Sequence, residues 1–206
     1  MKNIITGLRL MAVGIIIDFF IDLVFGAIIN RKGEFDTADI IGVIMWVSSF
    51  VFIYVGLRIA ARDEAYFLKA SNVYLGTGIV DAIIYAYRQL PASHTAVGVD
   101  FVFLIFGAIC YLFVLRGMIN VCSGLSKDYR YITKTYVIIM VLSALSIGMF
   151  LWRDTLTVVA DSEDMLVGIV VLVAVIYAAF KILTFIFYIR SVFKTIKMCK
   201  MEVVSV

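Results

Sequence analysis

Long apolar runs, separated by short polar segments, dominate the pattern of hydrophobic and polar positions along the chain. A helix needs about 20 residues to cross the roughly 30 Å hydrocarbon core of a bilayer. The runs are continuous rather than alternating, which favours membrane helices over barrel strands. We predict six spanning helices, over residues 8–29, 38–57, 66–87, 96–115, 132–152 and 165–189.

The composition is typical of a chain that is surrounded mainly by lipid. Hydrophobic residues make up 64% of the 206 positions and charged residues 16%, which is too little charge for the surface of a soluble domain of this length. The one proline, Pro91, leaves no linker between two units, so we expect a single domain over residues 1–206. The predicted fold class is an all-α membrane protein, a six-helix transmembrane bundle built from three successive hairpins.

The distribution of basic residues predicts the orientation of this bundle. Most of the 18 lysine and arginine residues fall on one side of the predicted spans, and such an excess marks the cytoplasmic side. We therefore expect a multi-pass cell-membrane protein with both termini in the cytoplasm. The basic face suits contact with anionic membrane lipids, and it is not evidence for nucleic-acid binding.

Ionisable residues within the spans are the main candidates for function. A carboxylate in mid-membrane costs roughly 2.5 to 3.5 kcal/mol on insertion scales, so it is retained where partners or water are available. Asp18 and Asp22 lie one turn apart on a face of the first span that also carries Gly14 and Gly26. Small residues on that face allow a neighbouring helix to approach closely.

Two other spans carry a polar face on an otherwise apolar helix. The third span has Tyr74, Gly78, Asp81, Tyr85 and Arg88. The sixth span has Tyr177, Lys181, Thr184 and Tyr188. We expect these faces to meet inside the bundle. The residues predicted to line this interior, as a path for a solute or an ion, are Asp18, Asp22, Asp81, Asp100, Lys181, Tyr74, Tyr85, Tyr177 and Thr184.

The depths of these groups predict an acidic vestibule that opens outward. From the helical rise, Asp100, Asp81 and Asp22 would lie about 6, 9 and 10 Å below the outer boundary, and Asp18 about 16 Å. Lys181 lies deeper, at roughly 24 Å, but its long side chain can reach toward Asp18 and form an ion pair. The alternative is that these charges only hold helices together. For Asp100 a further alternative is a favourable position near the start of its helix.

The glycine-containing stretch just before Asp81 has two interpretations. Gly76, Thr77 and Gly78 could break the third helix and free carbonyl groups for ion coordination. The same small residues could instead allow another helix to cross closely.

The sequence contains no recognisable catalytic or metal-binding motif. Its single histidine, His94, lies in a short predicted loop beside Pro91, so there is neither an HExxH motif nor a histidine paired with cysteine on one helical turn. The chain has three cysteines, an odd number: Cys110, Cys122 and Cys199. None is predicted on the outer side, which argues against a disulfide framework. We therefore expect a protein that is not an enzyme and has neither cofactor nor metal.

Two functional hypotheses follow from these patterns. The first is a protein that forms, or belongs to, a channel or small-solute or ion transport assembly. Six short spans in 206 residues resemble, in size and topology, the small-molecule-binding membrane subunits of modular uptake transporters. The second is a non-transporting membrane scaffold or signalling partner subunit of a larger complex, and an intramembrane enzyme comes third. The expected partners are membrane lipids, together with a second copy of the chain or a membrane or cytosolic subunit.

Overall fold

The computed structural model describes residues 1–24, 37–88, 98–125, 129–159 and 163–204, and all regular structure in these ranges is α-helical. The side chains are described within them at 1–21, 41–80, 82–83, 105–125, 129–149, 167–168 and 171–203. The helices are α1 (Lys2–Val24), α2 (Thr37–Ala60), α3 (Ala65–Arg88), α4 (Gly98–Gly124), α5 (Arg130–Val159) and α6 (Glu163–Val204). The predicted all-α class is confirmed.

Five of these helices are long and apolar enough, within the described residues, to cross a membrane. The stretches are Lys2–Ile21, Ile41–Ala60, Ile105–Gly124, Arg130–Met149 and Val171–Val203. The helix outside this set is α3, which has the same length as α2 but contains Lys69, Asn72 and Asp81. The predicted third span, 66–87, is therefore not among the stretches that qualify, and α3 packs between α2 and α4.

Several helices extend past the predicted spans. The first begins at Lys2 rather than at residue 8, and α6 continues to Val204 rather than ending at 189. With 42 residues, α6 is about 63 Å long, twice the thickness of the hydrocarbon core. The predicted ends followed the apolar runs, but a helix ends where its backbone hydrogen bonds end. The basic segment after Arg190 contains neither glycine nor proline and therefore stays helical.

The six helices form a closed arrangement in which each one packs against the next along the chain and α6 packs against α1. The most extensive contact is between α1 and α2. Helix α4 also touches α6, so α5 lies outside the α4–α6 pair. This arrangement gives every helix one face toward its neighbours.

Glycine residues bring α1 and α2 unusually close together. A Cβ atom on Gly56 would lie 2.6 Å from the Gly7 carbonyl oxygen, and one on Gly14 would lie 2.8 Å from the Ser49 carbonyl oxygen. Real Cβ atoms essentially never approach other atoms this closely, so these positions accept only glycine without a backbone shift. The contacts run in opposite order along the two helices, which are therefore antiparallel.

Among the described side chains, the buried core lies toward the end of the bundle that contains the N-terminus, the α2–α3 turn and the C-terminal part of α6. Its largest fully buried side chains are Phe67, Leu8, Met11, Leu57, Leu115 and Met118. By contrast, residues such as Leu172 and Val175 of α6 are 60% and 61% exposed. Exposed aliphatic side chains on long helices suit a lipid environment, in which they need no further cover.

Candidate functional site: a polar cluster around Asp18

Asp18 of α1 faces α2, where a buried serine anchors it. Ser49 is fully buried, and its hydroxyl group donates to the Gly14 carbonyl oxygen at 3.1 Å and lies 3.4 Å from Asp18 Oδ1. A serine hydroxyl has one proton, so it alternates between these two acceptors. The close approach at Gly14 is what allows the Ser49 side chain to reach both of them.

Tyr74 of α3 lies beside the same carboxylate. It interacts electrostatically with Asp18 and shares a hydrogen bond with Ser49. Its ring stacks on Phe50 of α2, with 5.1 Å between the ring centroids. Gly78, one turn further along α3, lies directly against the Phe50 ring and leaves no side chain to separate the two helices there. The packing of α2 against α3 therefore holds the Tyr74 phenol near Asp18.

Two further tyrosines and a cysteine extend the polar group across the bundle. The rings of Tyr111 on α4 and Tyr188 on α6 meet edge to face, 4.7 Å apart. Tyr188 is 2% exposed, and its hydroxyl group lies 3.9 Å from Met11 Sδ. Tyr74, Tyr111 and Cys110 lie near Tyr188. We name the whole group the Asp18 cluster; its members are Asp18, Ser49, Tyr74, Cys110, Tyr111 and Tyr188.

The Asp18 cluster combines one carboxylate with several hydroxyl groups and aromatic rings, contributed by α1, α2, α3, α4 and α6. A carboxylate supplies negative charge, and the face of a tyrosine ring attracts a cation, by up to about 2 kcal/mol in a desolvated site. Tyrosine and serine hydroxyl groups both donate and accept hydrogen bonds. The described residues include no group of three His, Cys, Asp or Glu side chains placed to hold a metal ion.

The predicted site residues of the sixth span, Tyr177, Lys181 and Thr184, are not among the named members of the Asp18 cluster. Tyr177 and Thr184 are half-buried. Lys181 is exposed, and its ammonium group lies 5.4 Å from the centroid of the Tyr177 ring. Next to Asp18 in the chain, Phe19 of α1 stacks on Phe185 of α6, with centroids 3.9 Å apart. The ion pair of Asp18 with Lys181 stays a prediction.

Four predicted site residues have side chains outside the described part of the chain: Asp22, Asp81, Asp100 and Tyr85. Their backbones belong to α1, α3, α4 and α3 in that order. His94 and Pro91 lie outside the described residues altogether. The acidic vestibule that opens outward therefore stays a prediction.

The glycine-containing stretch of α3 does not break the helix. Residues 76–78 are helical, and the Thr77 hydroxyl group donates to the Val73 carbonyl oxygen at 2.8 Å. Gly78 is the residue that packs on Phe50, whereas a side chain at Gly76 would meet open space. The interpretation as a close helix crossing is the correct one.

Sequence reasoning missed three members of the cluster, namely Ser49, Tyr111 and Cys110, and placed Tyr188 on a polar face without counting it among the site residues. Ser49 and Tyr111 each have one sequence signal, because a hydroxyl or phenol group in mid-span needs a hydrogen-bond partner. Cys110 is buried, and its thiol donates to the Ala70 carbonyl oxygen at 3.6 Å. None of the three recurs with other polar residues at helical spacing, so no stripe revealed them.

Charged groups also meet at the end of the bundle that contains the buried core. The N-terminal ammonium group forms an ion pair with Asp63 Oδ2 at 2.7 Å, and Asn3 donates to Asp63 Oδ1 at 3.0 Å. These hydrogen bonds, the first from the ammonium group and the second from Asn3, lower the pKa of the Asp63 carboxyl group below its ordinary value of 3.8. The start of α1 is thereby fixed to the α2–α3 turn.

Comparison of the chain with protein-family models, curated proteins and solved structures gives no match.

Proposed function

We propose that the protein is a non-enzymatic component of a channel or small-solute or ion transport assembly, and that the Asp18 cluster binds a cation on its way through the bundle. The observation that carries this proposal is the convergence of a carboxylate, a buried serine and three tyrosines from five helices. Groups that only hold two helices together would come from those two helices, whereas the members of this cluster come from α1, α2, α3, α4 and α6.

The composition of the cluster favours an organic cation over a small metal ion. Calcium and magnesium take six or more oxygen ligands in a shell of carboxylates, carbonyls and water. The Asp18 cluster offers one described carboxylate, and its rings supply the negative faces that attract alkylammonium or guanidinium groups. A cation there would also offset the cost of an ionised aspartate inside the membrane.

The proposed topology places three helical hairpins in the cell membrane, with both termini in the cytoplasm. Support comes from the basic residues that share the densely packed end of the bundle, namely Arg58, Arg62, Lys69, Arg116, Arg130, Arg190 and Lys194. The opposite end would contain the outer vestibule of Asp22, Asp81 and Asp100. In this proposal, another subunit supplies the energy source or the signalling output.

The test is ligand binding by the purified protein in mild detergent. Tetramethylammonium should raise the melting temperature of the wild type, by an amount equivalent to about 2.7 kcal/mol at a hundred times its dissociation constant. Uncharged tert-butanol of similar shape should not. Asp18→Asn should lose the stabilisation by tetramethylammonium, whereas the control Asp63→Asn, at the end of the bundle, should keep it. Equal stabilisation of Asp18→Asn and the wild type would overturn the proposal.

The predicted vestibule is tested by flux through reconstituted vesicles. Asp22→Asn and Asp81→Asn should change the flux of the cation while the protein still inserts and folds. Wild-type flux in both variants would assign these residues a structural role.

A scaffold or signalling partner subunit is the second candidate. The observation in its favour is that Gly76, Gly107, Gly148 and Gly168, on four different helices, face open space, where a helix of another chain, or of a second copy, could pack closely. The small residues of α1 and α2 are already used within the chain. Mass measurement in detergent and co-purification distinguish the two candidates, because a scaffold loses its function when its partner is removed.

A further inference from the structure

A groove runs along the outer surface of the bundle where α4 lies between α3 and α5. It encloses about 300 Å³ and is lined by Tyr66, Ile109, Leu112, Phe113, Arg116 and Tyr136. Ile109, Leu112 and Arg116 recur at spacings of three and four, so they share one face of α4. Among the described residues α3 and α5 do not touch each other, and the face of α4 between them is therefore open to the surroundings.

The two ends of this groove differ in chemistry. At one end are the exposed Arg116 guanidinium group and Tyr66, over whose ring the Lys69 ammonium group lies at 4.9 Å from the centroid. Toward the other end lie Ile109 and Leu112, with Ile109 about 10 Å from Arg116 along the helix axis. The groove thus has a basic, phenolic mouth and an apolar floor that leads into the predicted membrane.

We propose that the groove binds one anionic phospholipid, with its phosphate at Arg116 and Lys69 and an acyl chain along Ile109, Leu112 and Phe113. A guanidinium group matches a phosphate with two parallel hydrogen bonds, and basic pockets between membrane helices on the cytoplasmic side bind anionic headgroups. The Tyr66 and Tyr136 hydroxyl groups can add hydrogen bonds at the same level. This site rests on the proposed membrane topology but not on the proposed cation.

The shape and chemistry of the groove suit a lipid as its occupant. An extended acyl chain is narrow enough to fit, and its apolar surface suits the floor of the groove. The basic mouth then selects for a negatively charged headgroup.

The experiment is native mass spectrometry of the protein released from a mixture of phosphatidylglycerol and phosphatidylcholine. The wild type should retain phosphatidylglycerol preferentially. Arg116→Gln should retain about fivefold less, which corresponds to about 1 kcal/mol for one basic residue. The control Arg58→Gln removes another exposed cation of the same end, one that contacts Tyr54 outside the groove, and should behave as the wild type. Equal retention of the two lipids, or unchanged retention by Arg116→Gln, would overturn the site.

A second variant tests the apolar floor without changing charge. Leu112→Trp fills the groove from a half-buried position on the outer surface and should displace the bound lipid while the melting temperature stays near that of the wild type. Full retention of phosphatidylglycerol by this variant would contradict the assignment. Asp18→Asn should keep the lipid and Arg116→Gln should keep the response to tetramethylammonium, so the failure of one proposal is distinguishable from the failure of the other.

Discussion

Buried hydroxyl groups on α5 and α6 show how single residues limit stability. In the described part of the chain, Thr135 Oγ1, Ser191 Oγ and the Tyr131 hydroxyl group are buried without a hydrogen-bond partner. A buried hydroxyl group without a partner is destabilising by about 1–3 kcal/mol. Thr135 is 1% exposed, so no solvent compensates it at the protein surface.

Replacing Thr135 by valine should therefore stabilise the protein. The shape is almost unchanged and the uncompensated hydroxyl group is removed, so Thr135→Val should increase the free energy of unfolding by about 1 kcal/mol. Thermal unfolding in detergent measures the change. The matched control is Thr195→Val, which removes a hydroxyl group that donates to the Ser191 carbonyl oxygen at 2.9 Å and should lower the stability. A loss of stability in Thr135→Val would reveal a bound water molecule.

The Asp63 carboxylate predicts a dependence of stability on pH. Its pKa is lower in the folded protein than in the unfolded chain, because it accepts hydrogen bonds from the N-terminal ammonium group and Asn3. Its contribution is therefore complete above the unfolded value, about 3.9, and is lost as the pH falls through the lower folded value.

Unfolding measured between pH 6 and pH 2 should show this loss. Asp63→Asn should be less stable than the wild type at pH 6 and should approach it at the acidic end of the range. A constant difference in stability between the two proteins across the whole range would contradict the assignment of the ion pair.

At the scale of helices, the close contact of α1 with α2 is the most specific packing feature. Gly56→Ala places a methyl group against the backbone of Gly7 and Met11. Overpacking of this kind is typically destabilising by about 1–3 kcal/mol, and the thermal unfolding of the variant should show it. Gly148→Ala is the control, because nothing lies within 4 Å of its added Cβ atom. Equal stability of the two variants would mean that the helices are further apart than described.

The sequence predicted where helices occur better than where they end. The six predicted spans coincide with six helices, and within the described residues five of these are long and apolar enough to cross a membrane. A backbone that crosses lipid has to form its hydrogen bonds internally, which favours the helix. The ends differed at Lys2, where residues 2–7 are already part of the helix, and at Val204, where a basic segment without glycine or proline continues the helix. Hydropathy carries no information about such segments, since their side chains favour water and their backbone still favours the helix.

At the scale of the whole molecule, the candidate site was only partly predictable. Periodicity along α1 and α3 identified the faces that carry Asp18 and Tyr74, because charged and phenolic groups avoid lipid. Only the structure shows that Ser49 and Tyr111 lie near these two residues. The rotation of α2 and α4 about their own axes depends on glycine contacts and ring stacking with other helices. The order of polar and apolar residues along one helix does not determine that rotation.

The central claim is that Asp18 faces a hydrated interior, whereas its neighbours on α1 face lipid. Cysteine accessibility in intact membranes tests this directly, and the wild type is a clean background because Cys110, Cys122 and Cys199 are buried. Asp18→Cys should react with a cationic, membrane-impermeant thiol reagent added from the outside. Phe20→Cys, at a position that is 52% exposed on the outer face of the same helix, should not react. Reaction of Phe20→Cys together with an inert Asp18→Cys would contradict the account.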